Sequence, residues 1–196
     1  LIGWAILAPH SHNLQSWLVD LREPDVITLR IDRTRLLPET DPYSRQMTMS
    51  QGTFLELLDQ AARQRGHRAE LEPFPQGEWG PAGPDDRPSA RVRLVSDASV
   101  QPDPLFAQVF RRHTNRANYD NRPIDPAAVQ ALRDSVAGHP VQFGITGPGD
   151  TAALQAHRDI ALRAWRIELT TPRALLESYR VLRVGPHEIA SHRDGL

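Results

Sequence analysis

The 196-residue chain has no cysteine and no lysine. The first absence excludes disulfides, thiolate nucleophiles and cysteine-ligated zinc. The second excludes a phosphate-binding P-loop, which needs its lysine, and a pyridoxal Schiff base. All 23 basic residues are arginines, so an anionic ligand falls to Arg, His or backbone amides. No apolar run approaches the roughly 20 residues that cross a bilayer, and the opening LIGWAILA is too short. The 23 basic and 24 acidic side chains form no long block of either sign, which leaves no nucleic-acid footprint and points to small-molecule partners. No G-x-S-x-G elbow is present, so the common serine hydrolase arrangement lacks its nucleophile.

What is there is enough apolar residue, 39%, for a buried core in a soluble globular chain. A first helix is expected to stop before Pro9, because proline disfavours helical geometry in the residue before it. Alternation of Trp17, Val19 and Leu21, then of Ile27, Leu29 and Ile31, predicts a β-hairpin turning over Glu23, Pro24 and Asp25. Helical spacing of Phe54, Leu55, Leu57, Leu58, Ala61 and Ala62 predicts a helix over 47–65, closed by Gly66. Further expectations are strands at 69–74, 90–96 and 141–146 and helices at 103–111, 151–166 and 172–182. Another helix should have Asp125 at its N-cap and Pro126 in its first turn. Residues 75–89, rich in Gly, Pro and Asp, predict an irregular flap. Without regular βαβα alternation the fold class reads as α+β. We expect one domain over 1–196, with a hairpin and central helix in 1–74, the flap in 75–89, and the remaining helices in 90–196.

Four stretches invite a chemical reading. His10 and His12 in LAPHSHNLQSW have the spacing of a metal-ligand pair, but no third ligand clusters with them, so no metal site is expected. HEIASH, 187–192, resembles H-E-x-x-H, yet its histidines are five apart and point about 140° away from each other on a helix. GPGDTA, 147–152, meets a loose dinucleotide pattern without the acid about 20 residues on, and reads better as a helix start capped by Asp150. FRRHTNRANY, 110–119, sets Arg112, Thr114 and Arg116 at spacing two, so in an extended segment two guanidiniums and a hydroxyl share one face and can meet one anion.

Together these segments resemble the nitroreductase family of flavin enzymes, specifically its Acg-like branch, in which two nitroreductase-like halves are fused. LAPHSHNLQSW is similar to that family's A-P-S-S-x-N-x-Q-P-W loop, and SQGTFLELLDQAARQRG to its central helix. DPLFAQVFRRHTNRANYDNRPI is similar to its R-x-S/T-x-R phosphate element. The likeness covers most of 1–130 and implies an antiparallel or mixed sheet with long helices packed on it. It also implies FMN as cofactor, with NAD(P)H as donor and a nitroaromatic, quinone or similar acceptor, and no catalytic side chain, since the flavin carries the chemistry. By this likeness His10, Ser11, Asn13 and Gln15 meet the flavin ring, and Arg112, Thr114 and Arg116 its phosphate and ribityl end. The loop precedes the Arg element, an order that fits a portion of a fused chain completed as a homodimer or by a second half. His10 stands where the family has a small Ser, and Ser16 replaces the Pro before Trp17. These two differences carry a second expectation, a catalytically inactive relative that binds or stores flavin, or has lost it. The expected location is cytoplasmic, or exported if a segment ahead of Leu1 carried a signal.

Overall fold

The computed structural model describes residues 1–120 and 122–196. Asn121, inside the stretch likened to a phosphate element, lies outside the described residues. The chain divides into two compact units, one of Leu1–Arg112 with Glu168–Leu196, the other of His113–Ile167.

The first unit contains a four-stranded antiparallel sheet of β1 (Trp17–Asp20), β2 (Val26–Ile31), β3 (His67–Pro73) and β4 (Ala90–Ser96). Their order across the sheet is β1-β2-β4-β3. With α1 (Ile2–Ala5) and α2 (Arg45–Arg63) alongside, this is an α+β arrangement. The expected hairpin forms, with Trp17 opposite Ile31 and Val19 opposite Leu29, although its first strand ends at Asp20. Leu29 faces Ala90 and Ile27 faces Val92 across β2 and β4, and this face meets Phe54 and Leu58 of α2 in one core cluster. Alternation on the strands and three-to-four spacing on the helix thus point at the same apolar layer. Phe54, Leu29, Leu58 and Val92 are fully buried there.

The start of α2 is fixed from outside the helix. Asp41, itself buried, accepts from the amides of Arg45 (2.9 Å), Gln46 (3.0 Å) and Met47 (3.1 Å). One carboxylate thereby satisfies three of the four amides that a helix N-terminus leaves without intrahelical partners. At the other end Gly66 has φ +69°, the left-handed closure its position predicts. The flap is irregular as expected and is stitched to the sheet. Arg87 binds the Asp85 carboxylate and the Gln76 carbonyl, and Ser89 Oγ joins the Leu29 carbonyl and Gln51 Oε1. Expected as a helix, 103–111 is instead a 3-10 turn over Pro104–Gln108, capped by the Asp103 carboxylate at Leu105 N (2.8 Å). α5 (Pro172–Arg180) and α6 (Pro186–Ser191) complete this unit. A second core cluster joins Leu14, Ile31, Leu37 and Met47 with Val181, just past the end of α5.

The second unit carries α3 (Pro126–Val136) and most of α4 (Thr151–Thr170). Asp125 caps α3 through Ala127 N (2.8 Å) with Pro126 in the first turn, as the sequence predicts. The strand expected at 141–146 does not form. Alternation of Val141, Phe143 and Ile145 supplies the pattern, but a strand also needs a ladder partner, and the described residues of this unit contain none. No described residue of His113–Ile167 is buried. Among the described residues no helix is long and apolar enough to cross a membrane.

Candidate functional site

The loop between α1 and β1 gathers four of the seven residues singled out in the sequence. His12, Asn13 and Gln15 have φ of +51°, +52° and +52°. Asn and His visit this left-handed region more readily than most residues, whereas Gln does so rarely, and each such residue costs about 1–3 kcal/mol unless its surroundings hold it. Hydrogen bonds supply that hold. Ser11 N donates to Ser50 Oγ (3.1 Å), Trp17 Nε1 to the Ser50 carbonyl (3.0 Å), and Ser11 Oγ to Gln46 Oε1 (3.2 Å). Thus the loop is fastened to the first turns of α2.

His10 closes the loop on itself. Its Nε2 accepts from the Ser16 amide (3.0 Å) and is 2.8 Å from Ser16 Oγ, while Nδ1 is 2.8 Å from the Ser11 carbonyl. An amide only donates and a carbonyl only accepts, so the ring is the neutral tautomer with its proton on Nδ1. Burial lowers the His10 pKa from its ordinary value, and the positive fields of Arg35 and His12 act in the same direction. The ring meets Trp17 edge-on at 4.9 Å. His12 Nδ1 is hydrogen-bonded to Ser11 Oγ (3.0 Å), and among the described residues no third metal-binding side chain joins the two histidines.

Asn13 and Gln15 converge on a single acceptor. Asn13 Nδ2 (3.5 Å) and Gln15 Nε2 (2.7 Å) both donate to the Arg193 carbonyl. The segment carrying that carbonyl is held by Asp194, whose carboxylate takes Arg183 Nη2 and Arg35 Nη1, each at 2.9 Å. The Arg183 hydrogen bond, with Arg35 beside it, keeps the Asp194 carboxyl below the usual carboxylate range. Gly195 follows with φ +85°, where an added Cβ would sit 2.5 Å from the Val181 carbonyl, so only glycine fits. Sequence reasoning missed Arg193, Asp194 and Arg35. The signal available was the Asp-Gly pair in HRDGL, a turn-forming dipeptide.

Arg112, Thr114 and Arg116 sit on a stretch with no helix or strand, and all three are exposed. Arg112 belongs to the first unit, Thr114 and Arg116 to the second. In GPGDTA the Asp150 carboxylate accepts from Gly147 N (3.3 Å) and its carbonyl from Leu154 N (2.9 Å), a closed turn leading into α4. His192 lies just past the end of α6 and turns Nδ1 back to the Glu188 carbonyl (3.1 Å).

The donor set matches FMN chemistry in kind. The Asn13 and Gln15 side-chain amides are donors that can serve a carbonyl oxygen, the kind of acceptor a flavin ring presents, and here they serve that of Arg193. Compared with known proteins, the chain matches no family model and no curated protein.

Proposed function

We propose that this protein is an FMN-dependent oxidoreductase of the nitroreductase type, passing electrons from NAD(P)H to a nitroaromatic, quinone or similar acceptor. The observation that carries the reading is the convergence of the Asn13 and Gln15 amides on one carbonyl oxygen, within a loop whose backbone is held in left-handed geometry. Bound flavin would supply the redox chemistry, and the chain's residues would bind and orient it. Asn13 and Gln15 would donate to ring carbonyls in place of the Arg193 carbonyl, with Ser11 beside them. His10 fixes the loop from behind: its ring nitrogens face Ser11 and Ser16 of the loop's own chain. The family likeness of the sequence assigns the phosphate to Arg112, Thr114 and Arg116, by residue type and spacing.

One observation favours a second reading, a catalytically inactive relative that binds or stores flavin with weakened affinity. Arg193 already occupies both amides, and Asp194 anchors that segment through two arginines. A homodimer is part of the proposal, because the second unit has no buried residue among those described and leaves apolar side chains on α4 uncovered. Purified protein titrated with FMN and then given NAD(P)H and a nitroaromatic separates the readings. Saturable flavin binding with turnover supports the oxidoreductase, binding without turnover supports the storage relative, and no binding removes both.

A further inference from the structure

Between the turn at 33–38 and the end of α5 the first unit has a cavity of about 510 Å³. That volume falls within the roughly 300–1,000 Å³ typical of small-molecule sites. Its floor is apolar: Leu14, Leu37 and Val181 are all buried and belong to one core cluster. Its rim is cationic, with Arg33, Arg35 and Arg180. The acid in the lining, Glu177, is turned away to its own task. It is buried and accepts from Glu39 N (3.1 Å), Thr40 N (2.7 Å) and Thr40 Oγ1 (2.8 Å), so the turn's donors satisfy its carboxylate oxygens. The carbonyl of Arg180 at the helix end is likewise covered, by Arg183 Nη1 (3.0 Å).

The arginines differ in how firmly they are engaged. Arg35 is held by Asp194 (2.9 Å) and Asp32 (3.3 Å). Among the described residues Arg33 pairs with Asp86 alone (3.0 Å), a carboxylate with 94% of its side chain exposed. Exposed ion pairs of that kind are weak, so Arg33 can turn to another anion at little cost. Arg180, exposed at the rim, has no ion pair among the described residues.

We propose that this cavity binds a small organic anion, a carboxylate or phosphate monoester on an apolar body. The body lies on the leucine and valine floor. The anion is met by Arg180 and Arg33, with Arg35 adding its field from deeper in the wall. Neither group alone satisfies the site: a bare inorganic anion leaves the floor uncovered, and a neutral apolar molecule leaves the cations unmet. This inference does not depend on flavin binding, since none of its residues is among those proposed to hold FMN.

Calorimetric titration of the full chain with phenyl phosphate, benzoate, benzyl alcohol and inorganic phosphate tests it. Phenyl phosphate or benzoate is expected to saturate one site per chain, more tightly than either inorganic phosphate or benzyl alcohol, and to weaken with added salt. The double variant R33Q/R180Q alters two exposed side chains, and its denaturation midpoint serves as the folding control. It should weaken the anion by about tenfold or more, the scale of one or two charge-assisted hydrogen bonds. R112A/R116A should leave it unchanged. The proposal is overturned if neither organic anion saturates, if benzyl alcohol binds as tightly, if R33Q/R180Q binds like wild type, or if R112A/R116A abolishes binding.

Discussion

At Nε2 of His10 the Ser16 amide is the donor, 3.0 Å away, so a proton placed on that nitrogen would set one N–H against another. Burial and the nearby charges of Arg35 and His12 oppose the same proton, against a raising effect from the Ser11 carbonyl. The folded chain therefore binds less proton at His10 than the unfolded chain, whose value is about 6.5. Stability from this group should be complete above that value and lost as pH falls through the lower folded value. Urea denaturation across this window should show stability rising with pH, with a flatter dependence in H10Q. A His10 ring that titrates at or above the ordinary value by NMR would contradict the assignment. Sequence alone marked His10 as a bulky replacement for Ser near a flavin. Its bond to Ser16 was not legible, because the contact across six residues depends on left-handed turns at His12, Asn13 and Gln15, and Gln gives no hint of such a turn.

Elements were legible where the periodic apolar face meets another such face. β2 and α2 follow their patterns because Ile27, Leu29, Phe54 and Leu58 all enter one core. The pattern at 141–146 was as good, but alternation specifies a face and not a ladder, and no strand among the described residues of the same unit is there to pair with it. At 104–108 Asp103 caps Leu105 N and Pro104 stands in the first turn, which sets the start of the 3-10 turn. The start of α2 was misplaced by two residues for a related reason: the cap is Asp41, four positions ahead of the first helical residue. D41A leaves three amides without their acceptor and should lower unfolding free energy by about 1–3 kcal/mol. D41N, which keeps one acceptor oxygen, should recover part of the loss in the same urea titration. Equal stability of D41A and wild type would show that the cap contributes nothing.

For the whole molecule the informative feature is α4, a 20-residue helix with no buried residue. Ile160, Leu162 and Trp165 are 57%, 60% and 61% exposed and lie on different sides of it. A helix apolar on more than one side is normally covered, and a unit without buried side chains has little hydrophobic stabilisation of its own. Self-association would supply the cover. We expect a dimer by light scattering for the wild type and a monomer for L162E/W165E. A wild-type monomer would remove the dimer from the proposal. The sequence sets Arg112, Thr114 and Arg116 at spacing two, and the structure leaves all three exposed outside any helix or strand. The sequence did not foretell that a segment some 180 residues further on would meet the amides of the polar loop.

The most direct test of the central claim is an equilibrium titration of the intact chain with FMN, followed by quenching of flavin fluorescence. Saturable binding in wild type, lost in R112A/R116A and followed by NAD(P)H oxidation with a nitroaromatic, is the predicted result. Unquenched fluorescence at every protein concentration, or equal affinity in R112A/R116A, would contradict it.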